Sequence, residues 1–156
     1  MTIDCLRLPD ERATLSLGAA LGAHLEPGLV VHLHGDLGAG KTTFARGLIR
    51  SLGFLGRVKS PTFTLVEPYR FSSLSLYHFD FYRFEDPKEW TDTGLDEYFD
   101  GSAVILLEWP EKAGPALPSP DLGVRLEHAA DNGRLAWLES HTEKGRRCLE
   151  RMRGSS

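Results

Sequence analysis

Apolar positions recur along this chain with two periods, and the switch between them marks out its elements. Over residues 10–25, Ala13, Leu17, Leu21 and Leu25 return every fourth position, which predicts a helix that Asp10 can cap. Glu26-Pro27-Gly28 breaks it, and the short, mostly apolar run 29–34 before Gly35 suits a buried strand. Helical spacing resumes after Lys41 with Phe44, Leu48, Ile49 and Leu52, and stops at Gly53. Residues 76–82 and 103–107 read as strands, the second an unbroken apolar run closed by Glu108. Between them Asp86-Pro87 signals a short helix. Four prolines (Pro110, Pro115, Pro118, Pro120) mark a loop beyond Glu108. Leu122, Val124 and Leu126 then alternate with polar residues or glycine. Asp131-Asn132-Gly133 turns the chain, and 135–139 returns as the second strand of an antiparallel hairpin. Residues 142–153 predict a last helix. Helices alternating with buried strands predict an α/β sandwich with a mainly parallel sheet, extended by that C-terminal hairpin.

Composition narrows the class without changing this picture. With 156 residues, 41% hydrophobic and 26% charged, the expectation is a single globular domain with its core over about 10–140. Eighteen basic against 22 acidic residues leave a net charge of −4, which argues against a general positive field for nucleic acid. Cys5 and Cys148 form no CxxC pair, so a reduced, cytoplasmic setting is expected. No apolar stretch approaches the roughly 18 residues that span a bilayer, and the N-terminus lacks the pattern of a signal peptide.

The segment Gly35-Asp36-Leu37-Gly38-Ala39-Gly40-Lys41-Thr42 fits G-x-x-x-x-G-K-[ST] in full, between a buried strand and an amphipathic helix. Phosphate oxygens need converging backbone N–H groups, which glycine-rich backbone and a helix N-terminus supply. Lys41 would reach the β- and γ-phosphates, and the Thr42 hydroxyl would ligate Mg²⁺. With Gly35, Gly38, Ala39, Gly40 and Thr43 in the cradle, a nucleoside triphosphate is the expected ligand. Neither N-K-x-D nor D-x-x-G occurs, which points to ATP over GTP.

A phosphate-loop enzyme also needs a carboxylate for magnesium and its water. Glu108, at the end of the buried run 103–107, is the first candidate, and Asp80, among aromatics in HFDFYR at 78–83, is the second. The bland readings are a solvent-facing strand end for Glu108 and a salt bridge to Arg83 or Lys41 for Asp80. Ser60, Thr62 and Thr64 in SPTFT at 60–64 offer hydroxyls for a γ-phosphate or metal water, as a switch loop does, or form a plain proline turn.

Four segments together, GDLGAGKTT at 35–43, VKSPTFTLVEPY at 58–69, HFDFYR at 78–83 and EWPE at 108–111, resemble the bacterial TsaE family. The resemblance runs over about residues 10–140 and does not cover the tail. Phe81 stands where the family pattern has leucine, while a glutamate after the strand, as in Glu108, is the family's own choice. The resemblance implies an ATPase required for threonylcarbamoyladenosine modification of tRNA. It implies partners, TsaB and the threonylcarbamoyl-transferring TsaD, with hydrolysis resetting that machinery, tRNA touched indirectly at most and no membrane. It also brings residues before and within the first helix, Leu8, Asp10 and Thr14, toward the adenine.

The remaining signals are weaker. His32 and His34 share one strand face and read as core or helix-facing rather than as a zinc site. Arg46 and Arg83 are candidates for charge stabilisation or for ordinary salt bridges. Five basic residues against two acidic over 143–153 give a local net charge of +3, either a solvated face or a contact for tRNA or a partner. Eight of the 15 aromatics fall between positions 63 and 84, a core or a docking surface. The expected function is a Mg²⁺-dependent ATPase, weak alone and completed by partners, because no lid and no loop built for an arginine finger is evident. The alternatives are a small-molecule kinase and a nucleotide-sensing module without turnover.

Overall fold

In the computed structural model, residues 3–154 are described, and they build one seven-stranded mixed sheet flanked by helices. The strands are β1 (Ile3–Leu8), β2 (Val30–His34), β3 (Val66–Arg70), β4 (Ser75–Asp80), β5 (Val104–Glu108), β6 (Leu122–His128) and β7 (Arg134–Ser140). The helices are α1 (Glu11–Gly22), α2 (Lys41–Ser51), the short α3 (Lys88–Thr93) and α4 (Glu143–Gly154). Strand order is β1-β7-β6-β2-β5-β4-β3. The four central strands β6, β2, β5 and β4 run parallel, and the outer pairings β1–β7, β6–β7 and β3–β4 are antiparallel. The sheet is therefore evenly mixed rather than mainly parallel.

Two strands lie where the apolar pattern assigned nothing. β1 and β3 are the two edges, and an edge strand need not carry a clean alternation because one side has no partner. β3 even contains Pro68, whose missing N–H is tolerated only at such an edge. The first helix stops at Gly22 rather than running to 25; the hairpin and the tail helix form as expected.

Alternation along the central strands feeds two cores. Val31, Leu33, Val104, Leu106, Val124 and Leu138 pack with Leu17 and Leu21 of α1, Phe44 and Leu48 of α2, and Leu149 of α4. On the opposite face Phe79, Phe81, Ile105 and Leu107 pack with Phe84, Trp90 and Ala113. All five residues of β5 are buried, as expected of a strand covered on both sides. α1 and α2 approach backbone to backbone: a Cβ at Gly18 would lie 2.1 Å from the Phe44 carbonyl oxygen, and one at Gly47 2.1 Å from that of Leu15. That contact fixes α2, and with it the loop that precedes it. The clustered aromatics serve mainly as core, since Tyr69, Phe79, Phe81 and Phe84 are buried. Only Phe63 (80% exposed) and Tyr82 (39%) remain as large exposed aromatics of that stretch. No helix among the described residues is long and apolar enough to cross a membrane.

Candidate active site

Parallel packing puts the C-terminal ends of β2, β4 and β5 on one edge of the sheet, where α/β folds bind ligands. Leu33 of β2 pairs with Glu108 of β5, and Asp80 of β4 pairs with Glu108 in turn, so both carboxylates face the loop that leaves β2. That loop ends at Gly40, in the N-cap position of α2 with φ 108°, a left-handed conformation that glycine adopts freely. No side chain caps the helix there, so its first amides stay available to an anion.

One cavity of about 350 Å³ gathers Gly38, Gly40, Lys41, Thr42 and Thr43 from the loop and helix with Thr62, Asp80 and Glu108 from across the sheet. The Thr42 hydroxyl lies 3.3 and 3.4 Å from the two carboxylate oxygens of Glu108. This separation fits two oxygens that share a hard cation, since oxygen donors from a hydroxyl and a carboxylate suit Mg²⁺. Glu108 is buried, and a buried carboxylate needs partners. His78, fully buried on β4, supplies one: its Nε2–H donates to Glu108 Oε2 at 2.7 Å. Its Nδ1 has no partner among the described residues.

Asp80 is held differently. The Tyr82 amide donates to its Oδ1 at 2.8 Å and the Thr62 hydroxyl to its Oδ2 at 3.0 Å. Ser60 and Thr62 share a 2.8 Å hydroxyl contact, so Ser60-Pro61-Thr62 is wired to Asp80. No salt bridge to Arg83 or Lys41 forms; Arg83 instead lies over the Phe63 ring at 4.9 Å. Burial pushes the Asp80 pKa above the usual aspartate value, and nearby Glu108 adds to the rise.

Lys41 is only 5% exposed. Its ammonium donates to the carbonyl oxygens of Gly35 and, at 3.1 Å, of Asp36, and sits 3.9 Å from the centre of the Trp109 ring. Burial lowers its pKa, against the opposing pull of Glu108, Glu111 and Asp80. Trp109 reaches it from a left-handed backbone (φ 60°) directly after Glu108.

A second cavity of about 290 Å³ lies behind the loop, with Gly38, Gly40 and Thr43 as a shared wall. Asp10 and Thr14 line it together with Asn132 and Arg134. Asp10 also caps α1, accepting from the Ala13 amide at 2.9 Å. Gly35 and Ala39 line neither cavity and shape the loop instead. Gly35 abuts the Leu126 carbonyl, and the Ala39 amide is engaged with the Asp36 carbonyl at 3.0 Å. Leu8 packs in the core and does not line this cavity. Arg46 pairs with Glu11 at 3.6 Å. His32 and His34 face away from α1 and α2, and burial with the nearby His34 and His141 lowers the His32 pKa to about 4.

Sequence reasoning missed His78 and Arg134. His78 lies two residues before Asp80, so strand alternation already put both on one face. Arg134 donates to the Ala39 carbonyl at 3.0 Å and to that of Gly38 at 3.2 Å, pinning the loop from β7, and no local pattern announces it.

Residues 8–136 match the family model described as threonylcarbamoyl adenosine biosynthesis protein TsaE. A protein of Haemophilus influenzae called tRNA threonylcarbamoyladenosine biosynthesis protein TsaE is 40% identical over 147 residues, covering 91% of this chain and 92% of that protein. One of the same name from Bacillus subtilis is 44% identical over 126 residues, covering 81% and 77%. Among solved structures, the crystal structure of Bacillus subtilis YdiB is similar with a TM-score of 0.84 and 32% identity, over 98% of this chain and 95% of that one.

Proposed function

The chain belongs to the TsaE family of tRNA threonylcarbamoyladenosine biosynthesis, and from its site we propose that it is a Mg²⁺-dependent ATPase acting on a complex of TsaB and TsaD in the cytoplasm. The fold is then a three-layer P-loop sandwich, with α1, α2 and α4 on one face and α3 on the other. The observation that carries the reading is the convergence of Lys41, Thr42, Asp80 and Glu108, from three separate elements, on one cavity before an uncapped helix N-terminus.

In this reading the amides of Gly38 to Thr43 hold the phosphates, and the second cavity with Asp10 and Thr14 takes the adenosine end. Thr42 and Glu108 hold Mg²⁺, which neutralises phosphate charge when bound. Lys41 follows the charge that grows on the phosphate oxygens, leaving the Gly35 and Asp36 carbonyls to do so. Asp80 orients the attacking water and takes up its proton, helped by the burial that raises its proton affinity. Its link through Thr62 to Ser60 gives the loop at 60–64 a way to report the state of the γ-phosphate.

The chain brings no arginine to the cavity lining, so a partner is expected to complete it. Steady-state phosphate release tests this. Slow turnover alone and faster turnover with TsaB and TsaD support the reading. Brisk turnover unchanged by either protein would reject the partner-completed site and favour a small-molecule kinase; nucleotide binding with no turnover under any condition would favour a sensing module.

A further inference from the structure

The basic tail that stands out in the sequence is electrostatically spent. Arg146 pairs with Glu143 and Glu150, Arg147 and Arg151 both reach Glu26, and Arg153 pairs with Asp4. Four of its five basic residues are thus neutralised within the chain. A cluster of cations without an ion pair lies elsewhere. Arg50 at the end of α2, and Arg57 and Lys59 in the segment that follows, are exposed and make no ion pair among the described residues. With Arg46 they line a groove of about 630 Å³ that contains no carboxylate, on a chain whose net charge is −4.

The groove is built rather than incidental. Val58, between the two exposed cations, is buried in the core and anchors the segment there. At one end the groove opens onto Thr42 and Ser60, which also line the catalytic cavity. Close by in the chain Leu55 is 99% exposed, an apolar side chain with nothing covering it.

We propose that this groove docks an acidic segment of a protein partner, seating its carboxylates against Arg50, Arg57 and Lys59 and its flank against Leu55. Arginine is enriched at protein interfaces, and an uncovered apolar side chain beside the patch gives a partner surface to bury. Single-stranded RNA would need aromatic stacking surfaces, and the groove lining has none. A segment seated there ends at Ser60, one hydroxyl contact from Thr62 and two from Asp80. Docking would therefore bear directly on the residue that positions water. The identity of the partner rests on the reading above; the surface and its chemistry do not.

The test uses the full chain and a fluorescent peptide of about ten glutamates, with anisotropy read at low salt and again at several-fold higher salt. Saturable, salt-sensitive binding is expected, weakened about tenfold or more in the triple variant Arg50→Glu, Arg57→Glu, Lys59→Glu, with ADP affinity unchanged as a check on its fold. Equal binding by the variant, no saturable binding by the wild type, or tighter binding of an oligouridine of equal charge would overturn the proposal. Phosphate release with TsaB and TsaD separates it from the functional reading. If both proteins stimulate the wild type and the triple variant equally, the docking surface is wrong and the ATPase reading stands; if they stimulate neither while the peptide still discriminates, the reverse holds.

Discussion

Two strand ends sit side by side at the centre of the site, and each delivers one buried carboxylate. Asp80 of β4 and Glu108 of β5 are register partners, yet their surroundings diverge within one side-chain length. Glu108 is clamped between a buried imidazole and the Thr42 hydroxyl, both carried by regular elements of the fold. Asp80 is held by the Tyr82 amide just after its strand and by a hydroxyl from the loop at 60–64. The residue that ends that loop adds a second tie, since the Asp80 amide donates to the carbonyl of Leu65, which lies in the left-handed region at φ 70°. A non-glycine residue there stores roughly 1–3 kcal/mol of strain, which a rearranging loop can release. The lesson is a division of labour: the rigid carboxylate suits a metal that must not move, and the loop-coupled one suits a step that must respond to phosphate and partner.

Lys41 faces both carboxylates, so removing it erases the comparison altogether. Lys41→Ala should lower phosphate release by about 10²–10³-fold with the fold intact by circular dichroism, the scale seen when one preorganised charge is lost at a transition state. Turnover within a few-fold of wild type would remove this loop from the chemistry. Asp80→Asn keeps shape and removes charge. It should cost about 10²-fold in turnover while ADP affinity, read by titration, changes little. Collapse of ADP affinity with unchanged hydrolysis per bound ATP would make Asp80 structural.

His78→Gln tests the rigid side, because it loosens Glu108 without touching nucleotide. A 10–100-fold loss of apparent Mg²⁺ affinity is expected, recoverable at high magnesium, the size of effect typical of groups behind a metal ligand. Thr62→Val tests the mobile side more gently. Losing one hydrogen bond of about 0.5–1.5 kcal/mol should slow turnover up to about tenfold. It should also move the acid limb of the pH–rate profile upward, since the Thr62 hydroxyl stabilises ionised Asp80. That limb should already lie above the ordinary aspartate range in the wild type and vanish in Asp80→Asn.

Stability gives the smallest effect. A carboxyl whose folded pKa is raised opposes folding once pH exceeds its unfolded value, and the penalty disappears as pH falls below that value. Asp80→Asn should therefore be neutral or slightly stabilising at neutral pH in chemical denaturation, and a clear loss of stability would mean that its hydrogen bonds outweigh its burial.

The candidate anion loop was legible because all its parts are contiguous: Gly38, Gly40, Lys41 and Thr42 stand out by spacing alone, and the structure brings them to one cavity. Glu108 was legible because a fully apolar run can only be a central strand, and its first polar residue must emerge at the strand's end. What stayed hidden depends on contacts across the sheet. His78 meets Glu108 thirty residues away, and Arg134 reaches the loop from ninety-five residues away. The pairing of the basic tail was hidden for the same reason, as Glu26 and Asp4, the partners of Arg147, Arg151 and Arg153, lie at the other end of the chain.

The division of labour itself is tested most directly by ADP affinity with and without Mg²⁺, in Glu108→Gln and Asp80→Asn side by side, by isothermal titration. The expected result is that magnesium tightens ADP binding in wild type and Asp80→Asn but not in Glu108→Gln. Magnesium dependence lost in Asp80→Asn and kept in Glu108→Gln would contradict it, and would exchange the roles assigned to the two strand ends.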